Sequence, residues 1–344
     1  MGTFREPPPR PFLKWVGGKR QLLPRLLEAV AAAGSFHQYH EPFFGGGALF
    51  FALKRSGRLQ GRSYLADINE NLIGAYLGVR DQIDAVIRQL RIHERRHTEA
   101  YFYEVRRRRP RALAGCAARI IYLNKTCYNG LYRENSKGLF NAPFGRYKNP
   151  KICDEENLRA VSQTLQNANV AVGDFSCVLD VAKPGDLVYF DPPYAPLSKT
   201  ADFTAYSKGG FSIDAQVRLA EVFARLTQRR VKVILSNSMT DLTMGLYERF
   251  DIHEVLANRV VNSRADRRGK IAEALITNFP IDPEHYPALT PVNGRAVIPA
   301  LTTGGLEACL RGGGARENGY EDATALVDEV KTAWKAQEGR TRRN

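Results

Sequence analysis

Short apolar runs alternate along the chain with stretches whose apolar residues return at helical spacing. Tyr39-His40-Glu41, Tyr64-Leu65-Ala66-Asp67, Val170-Ala171-Val172, Leu187-Val188-Tyr189-Phe190, Val231 to Asn237 and Ala272 to Phe279 read as strands. They are rich in β-branched and aromatic residues and are bounded by Gly, Pro, Asn or Asp. Helical spacing runs from Gln21 to Ala33, Ala48 to Lys54, Asn71 to His97, Arg119 to Leu123 and Asp214 to Gln228. The last places Leu219, Val222, Phe223 and Leu226 on one face. Strands interleaved with helices predict an α/β chain.

Several strands end on an acid. Leu187–Phe190, apolar throughout, predicts a buried parallel strand carrying Asp191 at its carboxyl end, because Pro192 cannot donate to a ladder. Ligands of open α/β sheets bind beyond that end. The two prolines leave Asp191 and the Pro192 carbonyl as stiffly held acceptors, and Tyr194 adds a flat face. Such a set suits a planar base with an exocyclic NH2. Taken alone, the same residues equally make a Pro-rich turn with a helix-capping Asp.

Glu41-Pro42-Phe43-Phe44-Gly45-Gly46-Gly47 joins the first strand to a helix, and Asp67 ends the next strand where such folds hold ribose hydroxyls. Glu41 would repel a pyrophosphate, and no phosphate-loop pattern is present. The turn therefore suits a cationic nucleoside, S-adenosylmethionine. Asp174 and Phe175, after a further strand, suit an adenine's edge and face. Gly17-Gly18-Lys19 reads either as a close approach to an anionic group or as an ordinary turn into a helix.

The formal net charge of +14 over 344 residues implies an acidic polymer as partner, nucleic acid first and an anionic membrane second. No apolar run is long enough to span a bilayer, and the polar, Pro-rich start is not a secretory signal. Five scattered cysteines argue against disulfides and a zinc site, and for a reducing cytoplasm. Arg106 to Arg111 closes a helix and reads equally as a solvated end or a phosphate patch. Asn124 to Lys148 has no steady period and is rich in Asn, Gly, Tyr and Arg, the side chains that read base edges and phosphates. Residues 281–344 read as a loosely attached, partly disordered tail with one helix near Asp322–Gln337.

Four segments appear in order: Phe12-Leu13-Lys14-Trp15-x-Gly17-Gly18-Lys19, Glu41-Pro42-Phe43-x-Gly45-x-Gly47, Leu65-Ala66-Asp67-Ile68-Asn69 and Asp191-Pro192-Pro193-Tyr194. With the insert Asn129-Gly130-Leu131-x-Arg133-x-Asn135 and Phe140-Asn141-x-Pro143-Phe144-Gly145-Arg146-Tyr147-Lys148, the chain resembles the Dam-type (D12 class, α-group) DNA adenine-N6 methyltransferases over roughly residues 10–280. The resemblance implies a Rossmann-like, S-adenosylmethionine-dependent methyltransferase sheet, seven-stranded and mostly parallel, with a helical target-recognition insert. Residues 1–67 and 166–280 would form the catalytic and cofactor domain, and 68–165 the insert.

By the same resemblance Trp15, Lys19, Glu41, Phe43, Gly45, Gly47, Asp67, Asp174, Phe175 and Asp191 would hold the cofactor. Asp191, Pro192, Pro193 and Tyr194 would form the catalytic motif. Lys14, Leu131, Arg133, Arg146 and Tyr147 would face bases, Lys125, Asn129 and Asn135 the DNA backbone, and Pro143 would also contact DNA. The implied target is a flipped adenine within GATC in double-stranded DNA, with no metal. A monomer is expected, cytoplasmic and nucleoid-associated in a bacterium or phage-infected cell, and a cognate restriction endonuclease is a candidate partner. Three alternatives stand beside this: a cytosine-N4 methyltransferase, in which Ser would replace Asp191; a nicotinamide dehydrogenase, which needs a fuller glycine motif; and a non-catalytic DNA-binding relative.

Overall fold

The computed structural model describes residues 8–15, 21–135, 137–193, 211–258, 270–289 and 291–292. These fall in two compact units, one drawn from residues 1–27 and 36–191, the other from 28–35 and 192–344. In chain order the first elements are α1 (Leu23–Ala32), β1 (Tyr39–Glu41), α2 (Ala48–Arg55) and β2 (Ser63–Asp67). Four helices follow: α3 (Glu70–Asp81), α4 (Ile83–Arg95), α5 (Glu99–Arg107) and α6 (Leu113–Thr126). Then come α7 (Glu155–Leu165), β3 (Ala168–Val172), α8 (Val178–Val181) and β4 (Leu187–Phe190). The chain closes with α9 (Ile213–Gln228), β5 (Lys232–Ser238), α10 (Asp241–Leu246), β6 (Asp251–Asn258) and β7 (Lys270–Thr277). The strands form one seven-stranded sheet, ordered β3-β2-β1-β4-β5-β7-β6.

In the first unit β1 runs parallel to both β2 and β4, with Tyr39 opposite Ser63 and Leu187, and β2 runs parallel to β3. β4 is buried along its whole length, as its unbroken apolar run requires. Parallel pairing brings the carboxyl ends of β1, β2 and β4 to one edge, and each ends on or beside an acid. Beneath that edge Phe44, Phe50, Phe51 and Tyr76 form a buried ring cluster, the closest pair being Phe44 and Tyr76 at 4.5 Å.

The helical spacing from Asn71 to His97 resolves into two helices. They part at Gln82 (φ −136°, ψ 38°), whose side-chain oxygen accepts Ala114 N–H at 3.1 Å in the first turn of α6. One amide thus ends α3 and caps α6. Gly78 is required where α3 meets α6, since a Cβ there would lie 2.4 Å from the Ala117 Cβ. α6 also begins earlier than the sequence suggests, because its first turn is mostly small residues.

The arginine run serves a helix end. Arg119, buried in α6, donates to the Val105 and Arg106 carbonyls at 3.1 and 2.8 Å, and Arg109 donates to the Arg106, Arg107 and Arg108 carbonyls. These groups satisfy carbonyls that α5 leaves open at its last turn.

In the second unit β7 lies antiparallel to β5 and to β6. β6 was not among the strands read from the sequence. Its Asp, His, Glu and Asn are poor strand formers, and it occupies the sheet's edge, where composition is least constrained.

Candidate active site and nucleic-acid interface

The turn after β1 is fixed by glycines in the left-handed region. Gly45 has φ +47° and Gly47 φ +66°, and Gly47 opens α2 without a side-chain cap. A Cβ on Gly45 would lie 3.0 Å from Trp15 Cδ1, and one on Gly47 2.7 Å from the buried Phe44 ring. Asp67, at the end of β2, ties the turn down: Oδ2 accepts Gly45 N–H at 2.9 Å and Oδ1 accepts Asn69 N–H at 3.0 Å. Tyr76 donates its hydroxyl to the Gly45 carbonyl at 3.1 Å. Burial raises the Asp67 pKa above the usual value, while the amides of Asn69, Gly45 and Ile68 oppose the rise.

Glu41 and Asp191 end the neighbouring strands. Glu41, 2% exposed, accepts the Tyr39 hydroxyl at 2.8 Å. Its pKa stands well above the carboxylate range, chiefly through burial, with the Asp191 charge adding to the rise. Tyr39 is raised by burial and then by the charges of Glu41 and Asp191 among others. Beside these acids Phe43 stacks on Phe175 at 5.3 Å and meets Phe190 edge-on at 6.2 Å. Asp174 accepts Ser176 N–H and Oγ–H at 3.1 and 2.8 Å, capping the short turn that presents Phe175.

Trp15, Glu41, Phe43, Gly45, Gly47, Asp67, Asp174, Phe175 and Asp191 therefore all sit in the first unit, around the carboxyl edge of its strands. Pro192 and Pro193 belong to the second unit. Gln216 donates to the Pro193 carbonyl at 3.4 Å and accepts from Asn237 at 3.0 Å. Lys19 and Tyr194 lie outside the described residues, as do residues 259–269 and the predicted C-terminal helix.

The segment from Cys127 to Lys148 is a hairpin-like loop closed by the bridges Cys127–Phe144 and Glu134–Phe140. Asn129 (φ 54°) and Arg146 (φ 51°) both take the left-handed conformation unusual outside glycine. Lys14, Asn129, Arg133, Asn135, Pro143 and Arg146 are exposed, while Lys125, Leu131 and Tyr147 are half-buried. The Lys14 ammonium lies 4.6 Å from the Tyr147 ring centre. Arg133 Nε donates to Asn141 Oδ1 at 2.7 Å, and Asn135 Oδ1 accepts the Lys137 and Leu139 amides at 2.9 and 3.0 Å. Burial lowers the Lys125 pKa.

Four residues outside the predicted set belong to this picture. Buried Asn124 accepts Lys14 N–H and donates to the Lys14 carbonyl, both at 2.7 Å, and also reaches the Gly130 carbonyl at 3.3 Å. Asn157 braces Arg10 with the same two-sided pattern, at 3.0 and 3.1 Å. Ile68 is 75% exposed beside Asp67, and Tyr128 is 55% exposed at the start of the loop. An apolar residue after a strand-ending acid was a readable signal; the two asparagine braces, which span distant segments, left none.

The strand order, the glycine turn and the acid-ended strands define a Rossmann-like methyltransferase fold. Residues 15–261 match the family described as D12 class N6 adenine-specific DNA methyltransferase. The chain belongs to this family, and is an adenine-specific DNA methyltransferase. It is 42% identical over 278 residues to the Type II methyltransferase M1.LlaDCHI of Lactococcus lactis subsp. cremoris, covering 78% of this chain and 95% of that protein. To the Type II methyltransferase M.MjaIII of Methanocaldococcus jannaschii it is 42% identical over 288 residues, covering 78% and 99%. To the DNA adenine methylase of Escherichia coli it is 36% identical over 270 residues, covering 77% and 94%. The dehydrogenase and cytosine-N4 readings are set aside by this assignment. Among the described residues no helix is long and apolar enough to cross a membrane.

Proposed function

We propose that the chain transfers the methyl group of S-adenosylmethionine to N6 of an adenine turned out of duplex DNA within GATC. The observation that carries the cofactor is the Asp67 carboxylate, pinned by Gly45 and Asn69 amides where any Cβ on Gly45 would press on Trp15. Gly45 and Gly47 would let the backbone approach the ligand, Asp67 would take ribose hydroxyls, and exposed Ile68 with the Phe43–Phe175 stack would supply apolar faces. Trp15, Lys19, Glu41, Asp174 and Asp191 complete the proposed set. When bound, S-adenosylmethionine supplies a methyl group already activated by positive charge.

In this reading Asp191 and the Pro192 carbonyl accept the two amino hydrogens of adenine. That orients a nitrogen lone pair otherwise delocalised into the ring, and the carboxylate stabilises positive charge growing on nitrogen. Tyr194, the residue after Pro193 in the sequence, would stack on the extruded base and offset part of the unstacking cost. Residues 68–165 act as the target reader. Lys14, Leu131, Arg133, Arg146 and Tyr147 face bases, Lys125, Asn129 and Asn135 face the backbone, Pro143 also contacts DNA, and exposed Tyr128 offers a stacking face. GATC rests on the likeness of the loop Asn129 to Lys148. A monomer acting on DNA in the cytoplasm, alone or beside a cognate restriction endonuclease, fits this activity.

The test is transfer of labelled methyl from S-adenosylmethionine to duplexes containing GATC or single-base variants, with nucleoside analysis of the product. N6-methyladenine confined to GATC is expected. Equal labelling of the variants would remove the sequence assignment, and no labelling of any duplex would remove the activity.

A further inference from the structure

Glu41 sits in a place that disfavours a charge. It is the last residue of β1 and 2% exposed. Its carboxyl takes two neutral donors, the Tyr39 hydroxyl at 2.8 Å and the Phe50 amide in the first turn of α2. Among the described residues no cation pairs with it. Asp191, following β4, sets a like charge against it, and Tyr76 on α3, whose hydroxyl donates to the Gly45 carbonyl, is near enough for the Glu41 charge to raise its pKa. Burial and the acidic neighbour keep the proton on Glu41 well past the usual carboxylate range, outweighing the two donors, which favour the charged form. Two residues further on, Phe43 and the glycine turn begin the proposed cofactor cradle.

We infer that Glu41 carries a proton in the free protein and surrenders it to solvent when S-adenosylmethionine binds. The inference rests on the cofactor reading above. The balance is simple: a neutral acid and a cationic ligand become a carboxylate–cation pair, and one O–H bond breaks to release one hydrated proton. The attraction for a cation is then created on binding, and the free protein is spared a buried anion within reach of the Asp191 charge. Affinity for S-adenosylmethionine should consequently rise with pH, by about tenfold per unit while Glu41 is still protonated in the free protein.

The experiment is calorimetric titration of the full chain with S-adenosylmethionine at matched pH in phosphate and in Tris, whose heats of protonation differ. It is repeated between about pH 6 and 8.5, a window chosen because a buried acid can titrate there. Wild-type protein should release up to one proton per ligand, and Glu41→Gln should release none and bind with a flatter pH profile. Tyr39→Phe keeps the acid but removes a donor that favours its charged form, so its release should persist and extend to higher pH. Equal wild-type heats in both buffers throughout, or undiminished release from Glu41→Gln, would overturn the inference while leaving the cofactor standing. Absence of any binding heat would instead dispose of the cofactor reading, and the inference with it.

Discussion

The strand edge around Asp67 and the loop from Cys127 to Lys148 are held by opposite means. At the edge, parallel strands and left-handed glycines fix the backbone, and the carboxyls of Glu41 and Asp67 are desolvated enough to shift upward. In the loop, side-chain amides hold the backbone while the charged tips of Arg133 and Arg146 stay exposed. The first arrangement suits chemistry, which needs dry, preorganised dipoles. The second suits reading of a solvated polymer, where cations must remain available and only the frame is rigid.

The largest effect that tests this contrast is at Asp191. Asp191→Ala should lower methyl transfer about a hundred- to a thousandfold, the range of losing a preorganised electrostatic group, while gel-shift affinity for duplex DNA is kept. Loss of binding with transfer retained would place Asp191 on the reading side.

Two buried side chains should also respond to acid in opposite senses. His93, on α4 and packed against Tyr101 of α5 and Tyr122 of α6, has its pKa lowered to about 4 by burial and then by Arg108 and Arg96. The unfolded chain binds its proton near the usual 6.5, so stability is complete above that value and falls as pH drops toward about 4. That loss is on the order of 3 kcal/mol, and His93→Gln should remove it from the acid side of the thermal-melt profile. Glu41 runs the other way. The unfolded chain gives up this proton near 4.5, so its contribution is complete below that pH and is lost as pH rises through the raised folded value. Glu41→Gln should therefore lift the melting temperature more at alkaline than at acid pH; melts parallel at all pH would erase the distinction.

Glycine substitutions compare the rigidity of the frames. Gly47→Ala drives a Cβ against the buried Phe44 ring at 2.7 Å, and Gly130→Ala drives one against Lys14 Cδ and its backbone-anchored Cβ at 2.6 and 2.7 Å. Each should cost about 3 kcal/mol, from overpacking plus left-handed strain. Denaturant midpoints measure both, and a loss under about 1 kcal/mol at either site would mark that frame as the yielding one. The smallest change sharpens it. Arg146→Gly should relieve left-handed strain and stabilise by about 1 kcal/mol, yet relax discrimination at one base position. A uniform loss of affinity over all duplexes would make Arg146 a phosphate contact.

Much of the strand edge was legible because its signals are local. An apolar run halted by Pro192, three glycines after β1 and an acid closing β2 are each readable within a few residues. The loop was legible as composition but not as geometry. Asn135 holds the Lys137 and Leu139 amides, and Arg133 holds Asn141, so residue types that suit DNA also build the frame. Strand β6 escaped because an edge strand can dispense with a regular pattern. The break at Gln82 escaped because the amide its side chain caps, that of Ala114, lies in a helix still to come.

The paired asparagine braces bear on the order in which the enzyme assembles. Arg10 and Lys14 emerge early from the ribosome, yet their partners Asn157 and Asn124 lie 147 and 110 positions downstream. At about 5–20 residues per second, that is a wait of about 5 to 30 seconds, during which a stretch holding buried Phe12 and Leu13 has no seat. The leading segment is thus a closing stitch, and nascent chains halted before Asn124 should leave it open to protease.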